Sequence, residues 1–386
     1  MSYILKHFDS PLIKFNITSS GIKGISVELL DIYKNYKPFF PIDLELTDSG
    51  LLRWLRRRII PKNRAFVQRF LAKLGLNIND TKGIIDICKG LSLNDCYWVV
   101  DDNFKGCFDE YNLYDNRFDH TLSLIAYTGY GDTQKSEFAS TPELTTDGVL
   151  PKCWRRMKNG KIFLYKAGSS GAANTGNEPY SEYYAFQIAE TMGLKAVKYN
   201  LNQWKKRLCS TCELFTNKTS SYIPIGRIVT EGGWEAVINY YKVLGNKFYN
   251  SLVDMLIFDA VICNEDRHFG NFGLIVSNKT NRIIDTAPIF DNGLSLFNYA
   301  MKEDFNNINL YAKTRLMANS QDFLTFAEEV ITKEQKKRLQ KLINFKFRKH
   351  KSYNLPSSRL KVMEVFIQKR IQELLAIPAI TKSSDH

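Results

Sequence analysis

An apolar run that ends in a knot of polar side chains limits what this chain can become. Residues 255–263 read MLIFDAVIC and lead directly into NEDRHFGNFG at 264–273. Apolar residues fill the run on all sides, as expected of a helix buried all round. Such a helix needs a folded body around it. Yet Asn264, Glu265, Asp266, Arg267, His268 and Asn271 crowd its end. They form either a solvated turn or a functional site.

The surrounding pattern sets the architecture. Residues 161–166 (KIFLYK) read as a buried strand, and 182–192 (EYYAFQIAETM) as a helix closed by Gly193. Residues 212–215 and 223–229 are strand-like. A long helix over 248–263 follows, then strands at 273–276 and 283–290 joined by SNKTNR. From 321 onward helical periodicity dominates, with Pro356 separating the last two helices. The expected class is α+β, a small sheet-rich lobe followed by a larger helical lobe.

Residues 1–135 differ in character. The segment RWLRRRIIPKNR (53–64) is strongly basic, and helical spacing follows over 63–75 and 81–91. This is read as a mostly helical accessory region. Two readings stay open for it. The paired helices could grip DNA as a helix-turn-helix. Alternatively they form a scaffold, with Arg56, Arg57 and Arg58 on a solvated face and Trp54 and Trp98 in the core. The polar stretch 132–148 marks a loop or boundary, and 381–386 is expected to be unstructured. The working division is 1–135, then 136–235 and 236–380.

The net charge of +13 favours anionic partners without choosing among them. The seven cysteines show no framework, and Cys209-x-x-Cys212 has no second ligand pair nearby. Residues 1–10 lack a charged start followed by an apolar block. These features give the expectation of a cytoplasmic protein with reduced thiols, with secretion as an effector the alternative. No apolar run is long enough to cross a bilayer.

Asp266 and Asn271 lie five positions apart, the offset between the base Asp and metal-binding Asn of protein-kinase catalytic loops. The Asp accepts the proton of an attacking hydroxyl, and the Asn holds a metal beyond the transferring phosphoryl group. A strand pair then leads to Asp291, positioned as the second metal-binding acid. Upstream, Lys166 ends a strand and Glu182 stands in the following helix. Gly148 lies in TTDGVLPK (145–152), before the lysine strand. Neither GxGxxG nor the P-loop pattern GxxxxGK[ST] is present.

Together, TTDGVLPK, KIFLYK, NEDRHFGN and APIFDNG (287–293) resemble the HipA-like serine/threonine kinases, including the CtkA-type members. In that family the phosphate loop reads G-x-x-P-K and the catalytic loop D-x-H-x-x-N. The metal Asp follows an aromatic residue. The resemblance covers about residues 140–375. It implies a two-lobed protein-kinase-like fold that uses ATP and Mg2+. It implies Asp266 as catalytic base, with His268 shaping the loop or making a structural hydrogen bond, and Asn271 and Asp291 as metal ligands. Gly148, Lys152, Lys166 and Glu182 would serve ATP binding, with Glu213 and Phe215 in the adenine-contacting segment. Thr145 would be the autophosphorylation site of the phosphate loop. A protein substrate and an antitoxin or DNA-binding partner would follow. Competing readings are a DNA-binding regulator using the basic N-terminal region, a pseudokinase and a small-molecule phosphotransferase.

Overall fold

The structure is a computed structural model that describes residues 1–20, 24–131 and 140–380. The beginning of the polar stretch at 132–139, and the tail at 381–386, lie outside the described residues.

The first half holds β1 (Ser2–His7), β2 (Ser10–Ser20), β3 (Gly24–Ile32), α1 (Asp48–Arg56), α2 (Val67–Lys73) and α3 (Thr81–Cys88). There follow β4 (Tyr97–Asp101), α4 (Phe108–Tyr111), α5 (His120–Thr128), β5 (Lys152–Arg156), β6 (Ile162–Ala167) and α6 (Glu178–Met192). The remainder is β7 (Tyr199–Trp204), β8 (Arg207–Glu213), β9 (Ser220–Pro224), α7 (Gly233–Leu244), α8 (Asn246–Ile262), β10 (Gly273–Ser277) and β11 (Ile283–Thr286). The helices α9 (Ile308–Ala312), α10 (Phe323–Glu328), α11 (Lys333–Gln340) and α12 (Ser357–Ala376) complete it.

The chain divides into two compact units. One comprises Met1–Lys166, Glu213–Ile223 and Leu274–Asp285; the other comprises Ala167–Cys212, Pro224–Gly273 and the chain from Thr286 on.

The first unit adds a sheet to the helices expected in the N-terminal region. β1 to β4 form an antiparallel sheet in the order β3-β2-β1-β4. β1 alternates inward Tyr3, Leu5 and His7 with outward neighbours, the period-2 pattern of a half-buried strand. Helical spacing marks 51–91, whereas β1 has Ser2 and Lys6 among the positions that alternate with its buried residues. α1 covers the sheet. Thr47 caps it by accepting the Gly50 N–H at 3.0 Å, and Leu51, Trp54 and Leu55 turn inward. Each such burial contributes roughly 1.5–3 kcal/mol.

The basic segment is not a uniform solvated face. Arg56 is exposed, but Arg58 is buried. Its guanidinium forks onto both carboxylate oxygens of Asp95 at 2.8 Å and bonds the carbonyls of Gly90 and Tyr97. Burial acts to lower its pKa, and the charge and hydrogen bonds of Asp95, with smaller help from Asp43, together raise it. Nor does the helix pair present a reading head. A recognition helix must offer several side chains to a groove, yet no residue of α3 is exposed. Ile84, Ile87 and Cys88 instead pack with α2 and with Leu122, Ile125 and Ala126 of α5. The scaffold reading therefore describes α2 and α3, with Arg58 as an internal tie.

The same unit carries the antiparallel hairpin β5–β6 and a small sheet in the order β11-β10-β9. The second unit is mainly helical, with β7 and β8 paired antiparallel. α8 runs through it against α7, α10, α11 and α12, and every residue from Leu252 to Ile262 is buried. No helix among the described residues is long and apolar enough to cross a membrane. Of the seven cysteines, only Cys107 is exposed.

Candidate active site

The end of α8 shows why its last turn carries Asp259. Cys263 takes the left-handed conformation (φ 51°), which stops the helix and turns the chain. Asn264 then reaches back to Asp259 Oδ1 at 3.0 Å, while its own Oδ1 accepts the Asp266 N–H at 3.2 Å. Asp266 is half-buried. Its carbonyl accepts from the His268 N–H at 2.8 Å and from Asn271 Nδ2 at 3.0 Å. The Asp266-to-Asn271 spacing is thus the span of one closed turn. Asn271 Oδ1 remains the acceptor of that side chain.

Arg267 organises this loop, and the sequence reading gave it no role. It is 1% exposed. Nε and NH2 fork onto Asp259 at 2.8 and 3.0 Å. NH1 bonds the carbonyls of Asn271 at 3.0 Å and Phe290 at 2.6 Å, and NH2 bonds Asn292 Oδ1 at 2.6 Å. All five N–H donors of the guanidinium are therefore used. One side chain ties α8, the loop 266–271 and both neighbours of Asp291. Burial acts against its charge, and Asp259 more than restores it, so its pKa is raised. A buried Asp at a helix end, eight residues before an Arg, was the available sequence signal.

Asp291 is half-buried and left-handed at φ 55°, a conformation more accessible to Asp than to most residues. Its N–H donates to the Tyr199 hydroxyl at 3.1 Å. Burial, with Glu182, Cys212 and Asp291 adding to it, pushes the Tyr199 phenol well up, so it stays protonated. Glu182 lies in the second turn of α6, which begins at Glu178 rather than at Glu182 as the spacing suggested. It is fully buried and accepts the Asn292 N–H at 2.9 Å. Asp266, Asn271, Asp291 and Glu182 thus share one unit, linked through Arg267 and Asn292.

His268 is exposed, and its Nδ1 accepts the Gly270 N–H at 3.0 Å. That is the structural role among the two expected for it. The phenylalanines of NEDRHFGNFG also acquire a reason. Trp234 stacks on Phe272 at 5.4 Å and meets Phe269 edge-on at 5.1 Å, anchoring the loop to α7.

The residues expected upstream lie in the first unit. Lys152 and Lys166 are cross-strand partners in β5–β6, and both are buried. Lys152 Nζ donates to the Asp147 carbonyl at 2.8 Å. Gly148 sits between them in the loop at φ 91°, where a Cβ would collide with the Lys152 ammonium. Thr145 Oγ1 is held by the Leu91 carbonyl at 2.7 Å. Glu213 pairs with Lys161 at 2.8 Å on the surface, and Phe215 packs edge-on against Tyr222 at 5.6 Å. The Leu214 N–H between them is already donated to Ile162 O.

As a metal site the donor set is sparse. Among the described residues no group of three or more His, Cys, Asp or Glu could hold an ion. Asn271 and Asp291 supply hard oxygens, which suits Mg2+, an ion that keeps several waters and takes substrate phosphates as ligands.

No family model matches the chain. The serine/threonine-protein kinase CtkA of Helicobacter pylori is 28% identical over 135 residues, covering 31% of this chain and 41% of that protein. The chain thus matches well under half the length of this curated relative. Among solved structures, the HipA, HipB and operator DNA complex of the Shewanella oneidensis MR-1 toxin–antitoxin system matches with a TM-score of 0.54 at 11% identity. That match covers 98% of this chain and 100% of that one, and it shows a common fold. The crystal structure of the H. pylori proinflammatory kinase CtkA matches with a TM-score of 0.45 at 19% identity, over 58% of this chain and 92% of that one.

Proposed function

We propose that the chain is a HipA-like, ATP-dependent serine/threonine protein kinase, a reading supported by its partial likeness to CtkA and by the fold it shares with the HipA complex. Its small lobe would be 136–235 and its large lobe 236–380, with 1–135 as an accessory region. The observation that carries this reading is the Arg267 fork. It holds the loop bearing Asp266 and Asn271 to the flanks of Asp291, the residues that phosphoryl transfer requires in fixed relation.

In the proposed reaction a substrate hydroxyl oxygen attacks the γ-phosphorus of ATP. The bond from that phosphorus to the ADP oxygen breaks, and ADP departs. Asp266 takes the hydroxyl proton. Lys152 and Lys166 bring two cations to one face of β5–β6, where they would neutralise phosphate oxygens. Gly148 would let the backbone of the loop approach them. Asn271 and Asp291 would hold Mg2+, whose charge stabilises the transferring phosphoryl group when bound. His268 would keep the loop turned through its bond from Gly270.

The test is incorporation of label from γ-labelled ATP with Mg2+, with casein as a generic acceptor. Wild type should incorporate label, and Asp266→Asn should lose at least about a hundredfold, the usual scale of a general base. Absence of both incorporation and nucleotide binding in the wild type would overturn the reading.

The HipA neighbour is named with HipB and operator DNA. An antitoxin protein, and DNA reached in its company, are accordingly the partners we propose. Co-expression with an adjacent small DNA-binding protein, read by co-purification, tests that.

A further inference from the structure

Arg64 closes the basic run that follows α1, and nothing in the proposed chemistry uses it. It is nonetheless 2% exposed. NH1 bonds Glu143 O at 2.8 Å and Thr146 O at 3.2 Å. NH2 bonds Glu143 Oε2 at 2.5 Å and Lys152 O at 2.8 Å. The next residue adds a backbone bond, from the Ala65 N–H to Val149 O at 2.8 Å. The segment 64–65 therefore grips the loop 143–152 at residues 143, 146, 149 and 152. Glu143 carries the grip onward, because its Oε1 accepts the Trp154 N–H in β5 at 2.7 Å.

We propose that Arg64 is the positioning residue of the phosphate loop, holding it in its ATP-binding form from outside the kinase motifs. This rests on the kinase reading above. The physical reason is entropy. Fixing a residue's backbone costs conformational entropy, so a loop left unclamped would be ordered only when nucleotide binds. Affinity then falls by the fraction of time the loop is formed. Lysine could not substitute. A guanidinium presents a planar fork able to serve three carbonyls and a carboxylate at once, and an ammonium does not.

Removing Arg64 alone leaves the Glu143 carboxylate buried without its cation, and the protein could simply unfold. The informative variant is therefore Arg64→Met together with Glu143→Gln. It replaces the buried pair by neutral groups, a change that is often close to neutral for stability. It keeps an acceptor for the Trp154 N–H and removes the ties to Thr146 and Lys152. The full-length chain is assayed with γ-labelled ATP, Mg2+ and casein, beside melting temperature. The expected result is a melting temperature near wild type, KM for ATP raised about tenfold or more, and kcat changed much less. Arg56→Glu, on the exposed face of α1, should leave both constants unchanged. A double variant with wild-type KM for ATP, in an active wild-type background, would overturn this inference alone. A wild type that neither binds nucleotide nor transfers phosphate would overturn it together with the kinase reading. A variant that stays unfolded would assign Arg64 to the core and overturn the positioning role.

Discussion

Lys152 and Lys166 face each other across β5 and β6, two buried ammonium-bearing residues in direct register. Two cations in register on one face of a hairpin present their charge together to an anion. Triphosphate is the anion proposed above, and the pair gives that proposal its sharpest electrostatic test.

ATP should raise the melting temperature of the wild type. The gain is about 2.7 kcal/mol at a ligand concentration a hundred times Kd. Lys166→Met should lose most of that gain. Thermal unfolding with and without ATP and Mg2+ measures it. An ATP-dependent shift of wild-type size in the variant would remove Lys166 from the site.

Arg267→Met leaves Asp259 buried, with only Asn264 as a remaining partner. Breaking a buried pair in this way costs about 3–5 kcal/mol, read by urea denaturation. Adding Asp259→Asn should recover part of the loss. Phosphotransfer should stay low in the double variant, because Asn271 O, Phe290 O and Asn292 Oδ1 have lost their common donor. Full recovery of both would reduce Arg267 to a packing role.

The basic segment should split into two classes. Arg56→Glu should change stability by no more than about 0.5 kcal/mol, as exposed substitutions do. Arg58→Glu places a carboxylate against Asp95 in a buried position and should cost more than about 3 kcal/mol. The urea midpoints of the two variants decide this, and equal midpoints would contradict the buried fork.

His7 gives the first unit a pH dependence. Burial lowers its pKa to about 4, against smaller opposing effects of Asp95 and Asn278. It packs on Phe8, Phe39 and Tyr97. The folded state favours the neutral ring, so the unfolded state binds more protons between its own pKa near 6.5 and the folded value. The His7 contribution is therefore full above about pH 6.5 and is lost as pH falls toward 4. At 1.36 kcal/mol per unit the loss is roughly 3 kcal/mol. His7→Phe should flatten the stability slope across that window, measured by urea denaturation at several pH values. An unchanged slope would assign the acid sensitivity elsewhere.

Much of the second unit could be read along the chain because its signals are local. The apolar helix before NEDRHFGNFG and the turn between Asp266 and Asn271 depend on near neighbours, as does the strand pair β10–β11 of the first unit. The N-terminal sheet was harder to read. Register shifts at Leu5/Lys6 and Lys14/Phe15 break the alternation along its first hairpins, and its last strand pairs from afar, Tyr3 with Asp101.

The arginines mark the same boundary. Sequence alone determined the order of the motifs and which side chains could do chemistry, because residue type and spacing along the chain carry that information. It left Arg58 to a solvated face in one reading, gave Arg64 no role beyond ending a basic segment, and gave Arg267 no task. Only the tertiary structure decided that all three lie inside, forked onto Asp95, Glu143 and Asp259. A charged side chain leaves water only where partners from distant segments meet most of its donors, and those partners stand next to it only after the chain has folded.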